Sequence, residues 1–287
     1  MFPESVAARL RELAPGDAVE QENVLQEIVQ QYILASLSRA GLFTEAIFHG
    51  GTCLRLVHAI NRFSQDLDFL LKKPDPRFVW QSYLERVQRD CAEEGIEFEV
   101  QDRSAAASAV RKAFLKTDSV GKVLTLGLPY GRHTRRKIRV KLEIDTNPPE
   151  GSGFETGYLY FPRLAPLTVQ SLSSGFATKG HALLCRTYTK GRDWYDLTWY
   201  TGRRIEPDFQ LLSNALRQQG PWKNERLEVT VPWFLSALRE KIGTIDWEVA
   251  RSDVQRFLPT SEQEGLQLWS EEFFLYQVDR MEGYLLG

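Results

Sequence analysis

Asp66 and Asp68 stand two residues apart in QDLDFLL. On a β-strand, positions i and i+2 share a face, roughly 6.6 Å apart by strand rise. Two carboxylates side by side repel each other unless a cation sits between them, and a hard, oxygen-liganded ion such as Mg²⁺ (or Mn²⁺) suits the pair. Upstream lies Gly50-Gly51-Thr52, with 13 residues between Thr52 and Asp66. A glycine pair at a strand-to-helix turn lets the backbone come close to a ligand. The free N–H groups of the helix start attract phosphate, and Thr52 adds a hydroxyl. A third carboxylate is available in IRVKLEID, where Ile138, Val140, Leu142 and Ile144 alternate with Arg139, Lys141, Glu143 and Asp145. If this segment neighbours Asp66 and Asp68, either Glu143 or Asp145 completes a triad. Three carboxylates beside a phosphate-binding turn are the equipment for two-metal nucleotidyl transfer, with a nucleoside triphosphate as substrate and pyrophosphate as leaving group.

The elements around these residues are legible from periodicity. Residues 4–14 carry a short amphipathic pattern ending before Pro15-Gly16, and residues 21–40 are apolar at Val24, Leu25, Ile28, Val29, Tyr32, Ile33 and Leu37, which is helical spacing, with Gly41 in position to end the helix. A short apolar run, 46–48, enters the glycine pair, and 54–60 is helical again. Residues 66–71 begin with strand-like alternation that puts Leu67, Phe69 and Leu71 toward the core. Another amphipathic helix covers 77–94, and 96–100, 123–128 and 138–145 are expected strands. Residues 146–168 contain four prolines and three glycines and are expected to cross between domains. Beyond about residue 170 the pattern is mainly helical. The expected architecture is α+β: a mixed sheet flanked by helices over 1–164, then a mainly α-helical domain over 165–287.

Two further clusters bear on function. In TKGHALLCRTYTKGRDWYDL, helical spacing aligns Lys179, Leu183, Arg186 and Lys190 on one stripe, and Asp193, Asp196 and Tyr200 on the next turns. Alone this is an ordinary surface helix with ion pairs. Beside the first cluster, Lys179 and Arg186 become candidate triphosphate ligands, and Asp193 and Asp196 the acids that orient them. The run Arg132 to Lys141 holds six lysines or arginines in ten residues. It is either a charged strand edge that blocks pairing with other sheets or a landing strip for a phosphate backbone through Arg132, Arg135, Arg136 and Arg139.

The 287 residues carry 36 basic and 38 acidic side chains, so the net charge of -2 does not itself attract a polyanion. At 43% hydrophobic and 26% charged, the chain is neither disordered nor of low complexity. Three scattered cysteines and four histidines argue against a disulfide scaffold or a histidine-rich metal centre. No run of about 18 apolar residues exists to span a membrane, and the N-terminus lacks a secretory apolar core; a cytoplasmic location is expected. The C-terminal aromatics, among them Trp222, Trp233, Trp247, Trp269, Phe273 and Phe274, lie near leucines and are expected in the core.

FHGGTCLRL followed by RFSQDLDF resembles the signature of the AbiEii-type nucleotidyltransferase toxins, within the DNA polymerase β-like superfamily. The glycine-hydroxyl turn corresponds to Gly51-Thr52, with threonine where serine is usual, and the D-x-D to Asp66 and Asp68. A downstream family pattern of a lysine, a helix and R-D-x-x-D resembles Lys179, Arg192-Asp193 and Asp196. The resemblance spans about residues 20–200. It implies a metal-dependent toxin that uses a nucleoside triphosphate and is neutralised by a separately encoded antitoxin; some relatives modify tRNA 3′ ends. The basic run favours an RNA acceptor. The rival expectations are an antibiotic-modifying enzyme acting on a small molecule and a silent relative that binds nucleotide or RNA.

Overall fold

The computed structural model describes residues 4–96, 98–101, 119–130 and 134–287. Two compact units result, one made of Met1–Pro148 with Glu155–Val169, the other of Pro149–Phe154 with Gln170–Gly287.

The first unit opens with helices α1 (Glu4–Leu13) and α2 (Ala18–Arg39). Asp17 caps α2, its carboxylate accepting from the Glu20 N–H at 2.8 Å, and Gly41, at φ +83°, ends it as expected. Strand β1 (Ala46–His49) runs directly into α3 (Gly50–His58), followed by β2 (Asp66–Leu71) and α4 (Gln81–Glu93). Strands β3 (Phe98–Gln101), β4 (Ser119–Tyr130), β5 (Thr134–Asp145), β6 (Phe154–Leu159) and β7 (Ala165–Gln170) complete a seven-stranded sheet in the order β3-β4-β5-β2-β1-β7-β6. It is mixed: β2 runs antiparallel to β1 but parallel to β5, and β1 runs parallel to β7.

Alternation explains which face is buried. Leu67, Phe69 and Leu71 of β2 and Ile138, Val140, Leu142 and Ile144 of β5 are buried in one apolar core with α2. Helix α2 is enclosed beyond its apolar stripe: every residue from Val24 to Leu37 is buried, including Gln26, Glu27, Gln30 and Gln31. Buried polar groups need partners: Gln26, Glu27 and Gln30 find them around the candidate site, while Gln31 donates within the helix to the Glu27 carbonyl at 3.4 Å.

The Pro/Gly-rich stretch 146–168 is not simply a crossing, because it holds β6 and the start of β7. APLTVQ alternates cleanly, with Ala165, Leu167 and Val169 buried; its proline hides the strand from a reading that treats proline as punctuation. The expected boundary after residue 164 falls ahead of β7, five residues short of the last residue of the first unit, Val169.

The second unit is helical: α5 (Leu172–Cys185), α6 (Gly191–Gly202), α7 (Phe209–Gln218), α8 (Val231–Ile242), α9 (Trp247–Gln255), the short α10 (Thr260–Gln263) and α11 (Glu271–Leu285). Trp247 stacks on Phe274 with ring centres 4.2 Å apart, and Trp194 meets both edge-on. Trp222 packs edge-on against Trp233. Of the aromatics expected in the core, Trp269 and Phe274 are buried, whereas Trp222, Trp233, Trp247 and Phe273 are half-buried and pack ring on ring at its margin.

Candidate active site

The turn from β1 into α3 requires glycine. Gly50 has φ +77°, a region strained for side-chain-bearing residues, and a Cβ there would fall 2.8 Å from Asp68 Oδ2. That contact follows from the register, since His49 pairs with Asp68. A Cβ on Gly51 would fall 2.6 Å from Arg62 Nη2 and 2.9 Å from Ser64 Oγ. The backbone at the start of α3 thus lies against both the aspartate strand and a buried arginine.

Thr52 is fully buried, and its hydroxyl donates to the Asp66 carbonyl. The side chain expected on phosphate has therefore committed its one proton to tying α3 to the start of β2. It belongs to a series: four consecutive carbonyls leading into β2 each accept from a side chain. Arg62 Nη1 donates to Phe63 at 3.1 Å, Gln30 Nε2 to Ser64 at 3.0 Å, Gln26 Nε2 to Gln65 at 3.1 Å, and Thr52 to Asp66. Gln26 Nε2 also donates to the Arg139 carbonyl at 2.8 Å and so joins the approach to β2 to strand β5. Arg55, which pairs with Glu27 at 2.6 Å and lies over the Phe63 ring at 4.4 Å, braces the same segment.

Asp66 and Asp68 are half-buried on the face opposite the core. The parallel register of β2 and β5 sets Asp66 beside Lys141, Asp68 beside Glu143 and Leu70 beside Asp145. All six positions share a face by parity. Glu143 is the acid opposite the aspartate pair. Asp145 lies one pair further along; it is buried, and its Oδ1 accepts from the Asn147 N–H at 3.0 Å. Asp66, Asp68 and Glu143 offer only hard oxygen donors, the chemistry a divalent cation of the Mg²⁺ or Mn²⁺ kind takes. The glycine at 50 leaves open the space a Cβ would fill beside Asp68. The third acid is engaged elsewhere: Glu143 pairs with the Lys141 ammonium, and among the described residues no three His, Cys, Asp or Glu side chains yet converge closely enough to hold an ion.

In the second unit the expected helical stripe is interrupted. Helix α5 ends at Cys185, Arg186 is extended (ψ 130°), and Lys190 precedes α6. Lys179 of α5 and Asp193 and Asp196 of α6 nevertheless come together. Lys179 Nζ lies 2.6 Å from Asp193 and 2.8 Å from Asp196, and Arg186 Nε lies 3.0 Å from the other Asp193 oxygen. Burial favours the neutral acid at Asp193, but Lys179, Lys190 and Arg186 together outweigh it and hold the carboxyl far below the usual range. Burial in the same cluster lowers the Lys190 pKa, partly offset by Asp193. Arg192 turns away, with Nε 3.8 Å from Asp253 and its guanidinium over the Phe257 ring.

Of the basic run, Arg132 lies outside the described residues, and Arg135 and Arg136 are placed on β5 by its backbone alone, their side chains lying outside the described residues. Arg139 is exposed. Sequence reasoning missed Gln26, Gln30, Arg62 and Ser64. The i, i+4 spacing of Gln26 and Gln30 inside an apolar stretch was the available signal for two of them.

This fold has solved counterparts. A Helicobacter pylori protein assigned as a nucleotidyltransferase superposes with a TM-score of 0.50 at 18% identity, covering 91% of this chain and 93% of that one. JHP933 from Helicobacter pylori gives 0.50 at 16%, covering 100% and 94%. Comparison with curated proteins gives no match. The fold is that of nucleotidyltransferases. The profile of the family described as nucleotidyl transferase AbiEii toxin, type IV toxin–antitoxin system, matches residues 32–274, and the chain belongs to that family. No helix among the described residues is long and apolar enough to cross a membrane.

Proposed function

We propose that this family member is a metal-dependent nucleotidyltransferase that joins a nucleotide from a nucleoside triphosphate to an RNA acceptor, with a tRNA 3′ end as the expected target. It would act in the cytoplasm, opposed by an antitoxin encoded separately. The observation that carries the reading is the β2–β5 register, which sets Glu143 opposite Asp68 beside the glycine turn. Asp66, Asp68 and Glu143 would hold the divalent cation, while Asp145 closes the following turn. When bound, the cation neutralises phosphate charge and eases ionisation of the acceptor hydroxyl.

The remaining work falls to the chain itself. The N–H groups at the start of α3 receive phosphate oxygens, and Gly50 and Gly51 let them approach closely. Thr52 contributes by fixing that turn to β2. Lys179 is the proposed triphosphate ligand, oriented by Asp193 and Asp196. In its cluster the Lys179 ammonium touches both carboxylates, and Arg186 holds the other oxygen of Asp193. Arg132, Arg135, Arg136 and Arg139 would grip the RNA backbone without reading its sequence.

The test is incubation of the purified protein with each labelled triphosphate, Mg²⁺ and total RNA. Label on RNA that vanishes in Asp66→Asn supports the reading. Label on a small molecule but not on RNA redirects it to the antibiotic-modifying type, and nucleotide binding without transfer to a silent relative.

A further inference from the structure

The third carboxylate of the ion site is also the one already occupied. Lys141 and Glu143 lie two residues apart on β5, in register with Asp66 and Asp68 respectively. Their side chains form an ion pair, and both are under a third exposed, at 29% and 26%. Among the described residues the acids do not converge as a trio. The chain thus carries its own cation on the face where three carboxylates would otherwise repel one another.

We propose that Lys141 is an internal counter-ion that keeps Glu143 off the ion site until a nucleotide arrives; this rests on the reading of Asp66, Asp68 and Glu143 as ion ligands. An incoming divalent cation must take Glu143 from the ammonium and then tolerate that positive charge nearby. Both effects weaken metal binding to the free protein. A triphosphate offers the ammonium replacement oxygens, so its binding releases Glu143. Metal and nucleotide then bind cooperatively, each strengthening the other by the same factor. Lys141 is on this account a positioning residue, distinct from the arginines of the basic run.

Mn²⁺ binding to the full-length protein, followed by electron paramagnetic resonance with and without a non-hydrolysable triphosphate analogue, tests this. Lys141→Met should bind Mn²⁺ about tenfold more tightly than the parent without nucleotide, and the analogue should then add little. Lys141→Arg, which keeps the charge, should bind like the parent, and Lys141→Met/Glu143→Gln should lose the gain. Melting adds a readout of opposite sign: Lys141→Met should be less stable than the parent without metal and recover with Mn²⁺. Lys141→Gln replaces the methionine variant if that one fails to fold. Unchanged or weaker Mn²⁺ binding in the charge-removed variant, with Asp66→Asn abolishing binding, overturns the counter-ion role. Asp66→Asn binding as well as the parent overturns the ion site itself.

Discussion

The Lys179 cluster yields a prediction whose size follows from burial. Asp196 has no exposed side-chain surface and Lys179 has 13%, with 2.8 Å between their charged atoms. Breaking a buried ion pair by removing one partner costs about 3–5 kcal/mol, because the other charge stays behind in a poor solvent. Lys179 keeps Asp193 as a second partner, so Asp196→Asn belongs near the lower end, about 3 kcal/mol. That corresponds to a fall of about 6–12 °C in Tm at 2–4 °C per kcal/mol. Lys179→Met should cost a similar amount, since it leaves two crowded carboxylates with less compensation. The double variant should cost clearly less than the sum, with a coupling energy of about 2 kcal/mol. Urea unfolding followed by tryptophan fluorescence is the suitable assay, because of the seven tryptophans only Trp80 lies outside the helical unit. If each single change costs under about 1 kcal/mol and the two add, the pairs are solvated surface contacts, and the idea that the acids fix Lys179 fails.

Four more outcomes are expected. Asp66→Asn and Asp68→Asn should each abolish transfer in the triphosphate assay while a cooperative melting transition persists; retained activity contradicts the assignment. Gly50→Ala should cost about 1–2 kcal/mol of stability from the positive φ and displace Asp68, so calorimetry should show both a lower Tm and weaker Mn²⁺ binding. Replacing Arg135, Arg136 and Arg139 with glutamine should weaken RNA binding across sequences and flatten its salt dependence while sparing nucleotide binding; unchanged RNA modification at moderate salt makes the run an edge guard. Asp193 is held below its unfolded value near 3.9, so the stability it contributes is present above about pH 4 and is lost as pH falls further. Acid titration of the fluorescence transition should show that loss, and Asp193→Asn should flatten it.

The placement of the candidate residues was legible because their spacing coincides with local periodicity. Asp66 and Asp68 alternate with Leu67 and Phe69 on a strand, and Gly50-Gly51 sits where a strand turns into a helix. The choice between Glu143 and Asp145 was not legible. Alternation puts both on one face, and only the pairing of Asp68 with Glu143 separates them; register is a property of two strands, not of one. Strand β7 was hidden by its proline, and the stripe from Lys179 to Lys190 assumed a continuous helix that ends at Cys185. Lys190 still reaches the Asp193 cluster electrostatically, by the chain folding back rather than by helical spacing.

What no local pattern could reveal is how Asp66 is held. Its supports come from 39 residues away for Gln26 to Gln65, 34 for Gln30 to Ser64 and 14 for Thr52 to Asp66, with Gln26 reaching 113 residues to Arg139. Each such bond contributes about 1 kcal/mol net, so the four carbonyls from Phe63 to Asp66 carry about 4 kcal/mol of local restraint before any ligand binds. Donors from α2 and α3, together with Arg62 of the segment itself, meet on these four carbonyls. A β2 backbone fixed in this way presents Asp66 and Asp68 on one face of the strand before any ligand arrives. The same logic explains why Thr52 is better used inside the fold than on phosphate. A hydroxyl on phosphate would add one contact to a ligand that the proposed helix-start site would already attract, whereas a hydroxyl on the Asp66 carbonyl fixes the glycine turn and the aspartate strand relative to each other.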